Sequence, residues 1–197
     1  IRDSKIYLIH QTAKEFLVCW SPSQELGRPL SSDRTMWRHS LEPAESNLVL
    51  AKICISYLLS AELESHPLVI DELGSVVQSS IYTAVFEYCE KHDFLEYAAR
   101  FWTDHFREAK IKEDSPVLHS AVRACDIRTG RLLAWFQVYW TIITNYSGRC
   151  PQELTDLMLG SFLGLEAVVR FLIQKGTNVD SRDNGGRTSL WWAVVNR

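Results

Sequence analysis

The sequence is short of the motifs that usually announce chemistry. Its 197 residues hold no G-x-x-x-x-G-K-[ST] stretch, so no P-loop cradles a nucleotide phosphate. There is no G-x-S-x-G elbow, no C-x-x-C, and no pair of histidines at i, i+4 with a supporting carboxylate. Those absences remove the common signals of serine hydrolases, dithiol or zinc-thiolate sites, and zinc proteases. Charge of one sign is scarce too: Lys and Arg number 21 against 24 Asp and Glu, a net charge of −3. That balance gives no basic footprint, and neither nucleic acid nor an anionic membrane is expected as a partner. No apolar run reaches the ~18 to 20 residues that a spanning helix needs. The opening "IRDSKIYLIHQTAKEF" has no signal-peptide core, is too acidic for a transit peptide, and lacks an initiator Met. The chain is therefore expected to begin inside a larger protein.

Cysteine is present but unorganised. Cys19, Cys54, Cys89, Cys125 and Cys150 are odd in number and scattered, which reads as reduced thiols in a cytoplasmic protein.

What is there is mostly helical. "IYLIH" at residues 6–10 is short and β-prone, and "QTAKEFLV" follows with Thr12 and Glu15 spaced as a capping box. Ser21 to Arg38 is turn-rich, with Pro22, Gly27 and Pro29, and marks a boundary. Beyond it, Ala44, Leu48, Ala51, Ile55 and Leu58 recur at steps of three and four behind Pro43, one buried helical face. Val77, Ile81, Ala84, Val85 and Tyr88 make a second helix. A third follows Asp93 as candidate cap, with Phe94, Tyr97, Ala98, Phe101 and Trp102 inward. "SPVLHSAVRACD" and "GRLLAWFQVYWTIITNY" read as two more. The expected class is mainly α, in short antiparallel pieces packed on each other.

The last segment repeats. "TDLMLGS" from Thr155 and "TSLWWAV" from Thr188 stand 33 residues apart, as do Leu157 and Leu190. A period of 33 residues with a turn and two helices is the ankyrin pattern. Thr155 and Thr188 suit helix caps; Leu165, Val168, Val169, Leu172 and Ile173 form an apolar stripe. Gly176 supplies the left-handed stop, and "DNGGRT" a tight turn with Gly185 or Gly186 at positive φ. The second unit stops after its first helix, so Leu190, Ala193 and Val194 are expected to be exposed, and solubility in isolation to be poor.

"GLEAVVRFLIQKGTNVDSRDNGGRTSLWWA" resembles the ankyrin repeats of fungal NACHT–ankyrin proteins, the NLR-like (STAND) group related to heterokaryon-incompatibility proteins. "IYLIHQTAKEFLV" resembles the last strand and helix of that group's winged-helix domain. "LAKICISYLL" and "FLEYAARFWTDHFREA" resemble its helical linker. The resemblance implies a winged-helix remnant over 1–20, an α-helical linker domain over 21–149, and ankyrin repeats over 150–197, one complete and one truncated. It also implies a protein-interaction segment of a signalling protein, coupled to an upstream NTPase switch that this chain does not carry. Ser189 departs from the usual Pro, Met158 and Trp191 from the usual His, and Gly160–Ser161 from a common Ala pair. The first repeat on that reading is an N-terminal cap.

By the same resemblance the protein-binding surface comprises Phe162, Leu163, Asn184, Gly185, Arg187, Trp191, Val195 and Asn196. No catalytic residue, cofactor or metal is assigned, and the chain is not expected to be an enzyme. His10 is expected to be a packed histidine, and His92, Glu96 and Arg100 a solvated ladder on one helix face. Trp102, Trp135 and Trp140 are expected in the core, with Trp192 between repeats. Two alternatives remain open. One is an α-helical hydrolase or ligand-binding domain whose site lies among His92, His105, Asp104 and Trp102; the other is a stand-alone α-solenoid scaffold.

Overall fold

A computed structural model describes residues 42–70, 78–143, 149–151 and 153–195. These residues are mainly helical, and none of them is in a strand. The strand-helix expected before residue 20, the boundary at 21–38, Cys19, Val77 and Asn196 lie outside them.

Helix α1 (Pro43–Leu58) starts with proline in its first turn, where the missing N–H costs nothing. It buries Ala51, Cys54, Ile55 and Leu58, while Ala44 and Leu48 in its first turns are only half-buried. With the short α2 (Ala61–Ser65), the stretch Pro43–Ser65 has a mean hydropathy of 1.3 over its best window. By length and composition alone that stretch could cross a membrane, although it is broken at Leu59–Ser60 and contains no unbroken apolar run of that length. Its apolarity has another use here: one face of α1 packs along α4 (Leu95–Glu108). Between them in the sequence, α3 (Gln78–Lys91) turns Ile81, Val85 and Tyr88 inward.

The face of α4 is rotated from the expected one. Leu95, Ala98, Ala99, Trp102, Thr103 and Phe106 are buried, whereas Tyr97 is 37% exposed and Phe101 half-buried. The stripe centres on the two small alanines, both fully buried, and the larger rings lie on the flank. Asp93 does not cap; Phe94 holds that position without a side-chain bond.

Helices α5 (Pro116–Ala124) and α6 (Gly130–Ile143) follow. Trp135 Nε1 donates to the Ala124 carbonyl at 3.2 Å and its ring meets Trp102 edge-on at 5.5 Å, pinning α6 to both α5 and α4. Gln137, buried in α6, donates to Thr141 Oγ1 at 3.0 Å and accepts from Cys150 N–H at 2.8 Å. That acceptor settles a buried backbone amide where the chain leaves the bundle.

Next come α7 (Asp156–Phe162), α8 (Glu166–Gln174) and α9 (Ser189–Val195). Thr155 Oγ1 accepts from Met158 N–H at 3.2 Å, and the Met158 sulfur accepts from Thr155 N–H at 3.4 Å, a closed capping box. Gly164 (φ +66°) and Gly176 (φ +84°) end α7 and α8, with Leu165 N–H on the Gly160 carbonyl and Thr177 N–H on the Leu172 carbonyl. Both are Schellman closures, which need the left-handed residue that glycine adopts freely. In α8 the stripe holds for Leu165, Val168 and Leu172, but Ile173 is 48% exposed.

One continuous core runs from Ala51 to Trp192, crossing the boundary expected at residue 149. Helix α5 packs on α8, with His119 and Phe171 edge-to-face at 5.3 Å. Phe136, Tyr139 and Trp140 of α6 reach Phe162 of α7 at 5.6 to 6.3 Å. Helices α5 and α6 thus cover one side of the α7–α8 pair.

Candidate functional site

The feature with the most organised geometry is the turn between α8 and α9. Gly186 N–H donates to the Asp183 carbonyl at 2.8 Å, and Asp183 N–H to the Arg187 carbonyl at 3.0 Å. This is a β-turn closed by a left-handed glycine, Gly186 at φ +74°. The Asp183 carboxylate fills it: Oδ1 accepts from Gly185 N–H at 2.9 Å and Arg187 N–H at 2.8 Å. Its Oδ2 accepts from Trp192 Nε1 at 3.1 Å and lies 3.0 Å from Arg187 Nε. Burial pushes this carboxyl's pKa up, but those N–H groups and the Arg187 charge outweigh it and hold it below the ordinary value.

Arg187 then lies across two indoles, 4.8 Å from the Trp191 ring centre and 4.9 Å from that of Trp192. A Cβ on Gly185 would sit 2.8 Å from Arg187 Nε, so glycine is needed there for the stacked guanidinium. Trp192 is 1% exposed and meets Phe162 edge-on at 5.7 Å, which fixes α9 on α7. Trp191 is 41% exposed, and Leu190, Val194 and Val195 are exposed beside it. Beneath the turn, Pro151, Glu153 and Leu154 with Asp183, Asn184, Gly185 and Arg187 line a cleft of about 210 Å³.

Of the expected surface residues, Asn184, Gly185, Arg187, Trp191 and Val195 share this end of the molecule. Phe162 (3%) and Leu163 (1%) do not belong to it, because both side chains are core. Their positions follow the α7 face that α9 and α6 cover. Asp183 was missed; an acidic side chain opening an Asn-Gly-Gly turn was the available signal.

The residues of the hydrolase alternative do not converge. Trp102 is fully buried, and Asp104 pairs with Arg107 on the surface of α4. His92 sits in the turn before α4, buried against Tyr88, with Nδ1 3.3 Å from Glu62 Oε1. It is thus not on the helix with Glu96 and Arg100, and the expected ladder does not form. His92 and His66 line an open cleft of about 480 Å³ between the α2 end and α3. His105 has other partners, Asn47 and Tyr97. Among the described residues, no cluster of three His, Cys, Asp or Glu side chains could ligate a metal. Burial pushes the thiols of Cys54 and Cys89 up to about 11 and Cys150 to about 12, so these are not thiolates near neutral pH. No family model, curated protein or solved structure matches the chain.

Proposed function

We propose that residues 150–197 are the first units of an ankyrin-type solenoid, and that the chain works as a protein-interaction scaffold. On this reading residues 1–20 are the end of a winged-helix domain and the bundle is the helical linker of a cytoplasmic NACHT–ankyrin signalling protein. The linker would couple recognition to an upstream NTPase switch. No catalytic step is assigned to the chain.

The observation that carries the reading is the stacking of α9 on α7 after a 33-residue interval from Thr155 to Thr188. A repeat whose like helices pack on each other is the organising rule of solenoids. The turn tip and Trp191 supply rigid, exposed groups of the kinds enriched in recognition surfaces, Arg and Trp above all. The partner is a protein gripped along a surface rather than a small molecule in a pocket.

The test is quantitative affinity capture with the whole chain, comparing wild type with Arg187→Ala/Trp191→Ala. Tyr82→Ala/Phe86→Ala, altering exposed rings on α3, serves as the control. The reading expects partners lost with the first pair and kept with the second. Equal recovery with both pairs refutes the assigned surface.

A further inference from the structure

A hydrogen-bonded relay on the flank of α4 has the form of an activated nucleophile. Asn47 Nδ2 donates to the Pro43 carbonyl at 2.9 Å, which turns its Oδ1 toward His105. His105 Nδ1 lies 2.8 Å from that Oδ1, and an amide oxygen only accepts, so Nδ1 carries the proton. Nε2, 3.0 Å from the Tyr97 hydroxyl, is then the bare acceptor and Tyr97 the donor. A hydroxyl, a base and a group orienting the base stand in order, which is the arrangement of a base-activated nucleophile.

We propose that Tyr97 is a site of covalent O-acylation, with His105 as general base and Asn47 as the residue that positions it. The phenol oxygen attacks the carbonyl carbon of an activated acyl donor, such as an acyl imidazole or thioester. The Oη–C bond forms as the bond from carbon to the leaving group breaks. The phenol proton passes to His105 Nε2 and from there to the leaving group, so His105 is regenerated. Phe94 and Phe101, with ring centres 5.4 and 5.0 Å from that of Tyr97, give the acyl chain an apolar bed.

The surroundings fit a neutral base. Burial lowers the His105 pKa, opposed by Asp104 beside it. Asp104 is itself paired with Arg107, and the other cation of this flank, Arg100, lies 5.0 Å over Phe101. From α1, the groups that face the relay are the Asn47 amide and, on the Tyr97 side, the Cys54 thiol. Burial and Cys54 raise the Tyr97 pKa, so this phenol stays protonated and needs a base to react.

The experiment treats the whole chain with N-acetylimidazole and follows each tyrosine peptide by mass spectrometry. Tyr82, 56% exposed against 37% for Tyr97, is the internal reference. Accessibility alone makes Tyr82 the faster. General-base catalysis contributes about 10²- to 10⁴-fold, so Tyr97 should win by at least about tenfold. The Tyr97 rate should be level while His105 is neutral and fall only as His105 protonates, later than an ordinary histidine. Tyr82, reacting through its phenolate, keeps rising with pH, so the Tyr97-to-Tyr82 ratio should fall as pH rises toward 8. His105→Gln, which keeps a donor and an acceptor, should bring Tyr97 to the Tyr82 rate or lower. Asn47→Ala should reduce the advantage and move its pH midpoint. The inference is overturned if Tyr97 reacts no faster than Tyr82, if the ratio is flat from pH 5 to 8, or if His105→Gln reacts like wild type. The first two readings use wild-type protein and are independent of how the variants fold.

Discussion

Replacing Asp183 by alanine removes one side chain and leaves several donors without an acceptor. Two are backbone N–H groups of the turn, Gly185 and Arg187, and one is the indole N–H of Trp192, itself 1% exposed. Hydrogen bonds to a charged group contribute about 1.5 to 3 kcal/mol each in favourable cases. Gly185 and Arg187 can turn to water, so their share is at the low end, about 1 kcal/mol each. Trp192 cannot reach solvent, and its unpaired N–H costs about 1 to 2 kcal/mol. The half-exposed Arg187 pair adds under about 1 kcal/mol. Together the loss is about 3 to 5 kcal/mol, concentrated on the turn and α9. Asp183→Asn keeps the shape and one acceptor oxygen but sets an NH₂ group against Trp192 Nε1 or Arg187, and should cost about half as much. The carboxyl's pKa is depressed in the fold, so its contribution is full above the unfolded value of about 3.9 and disappears as pH falls through the folded value. Hydrogen exchange across 183–195, with urea unfolding followed by tryptophan fluorescence, measures the loss. A change under about 0.5 kcal/mol for Asp183→Ala, with unaltered exchange, would refute the reasoning.

Other outcomes follow from single contacts. Gln137→Leu strands the Cys150 amide and should destabilise by about 1 to 3 kcal/mol in thermal or urea unfolding, more than Gln137→Glu at acid pH. Gly176→Ala places a Cβ at φ +84° and should cost about 1 kcal/mol, although nothing crowds the site. Gly160→Ala goes the other way: its Cβ meets Val168 at 3.4 Å in a helix interior, and a gain of about 0.5 to 1 kcal/mol in the free energy of urea unfolding is expected. Trp192→Ala should cost about 3 to 5 kcal/mol and Trp191→Ala under about 1, so calorimetry should separate neighbouring indoles sharply.

The helices were legible because their apolar spacing, prolines and glycines act locally. Pro43 and Pro116 open α1 and α5, and Gly176 closes α8, each for a reason present in the residue itself. The 33-residue interval likewise located α7 and α9. What local pattern could not give was rotation and partnership. The face of α4 is decided by its packing against both α1 and α6, a property of several helices at once. Phe162 and Leu163 look like surface only until α6 is found covering α7. His92 fits a helical ladder by spacing, but the helix begins after it, at Leu95. Asp183 and the Asn47–His105–Tyr97 relay join groups far apart in sequence or hidden in a turn, and only the fold assembles them.

The proposed recognition surface depends on α9 being stacked against α7 at the 33-residue interval, with Trp192 inside and the turn held by Asp183. Ring-labelled tryptophan and phenylalanine in the whole chain allow this to be read by nuclear Overhauser contacts. Cross-peaks between Trp192 and Phe162, with rings 5.7 Å apart, and a Trp192 indole proton protected from exchange are the expected result. A Trp192 ring with no contact to Phe162 and a freely exchanging indole would contradict the stacked unit, and with it the proposed recognition surface.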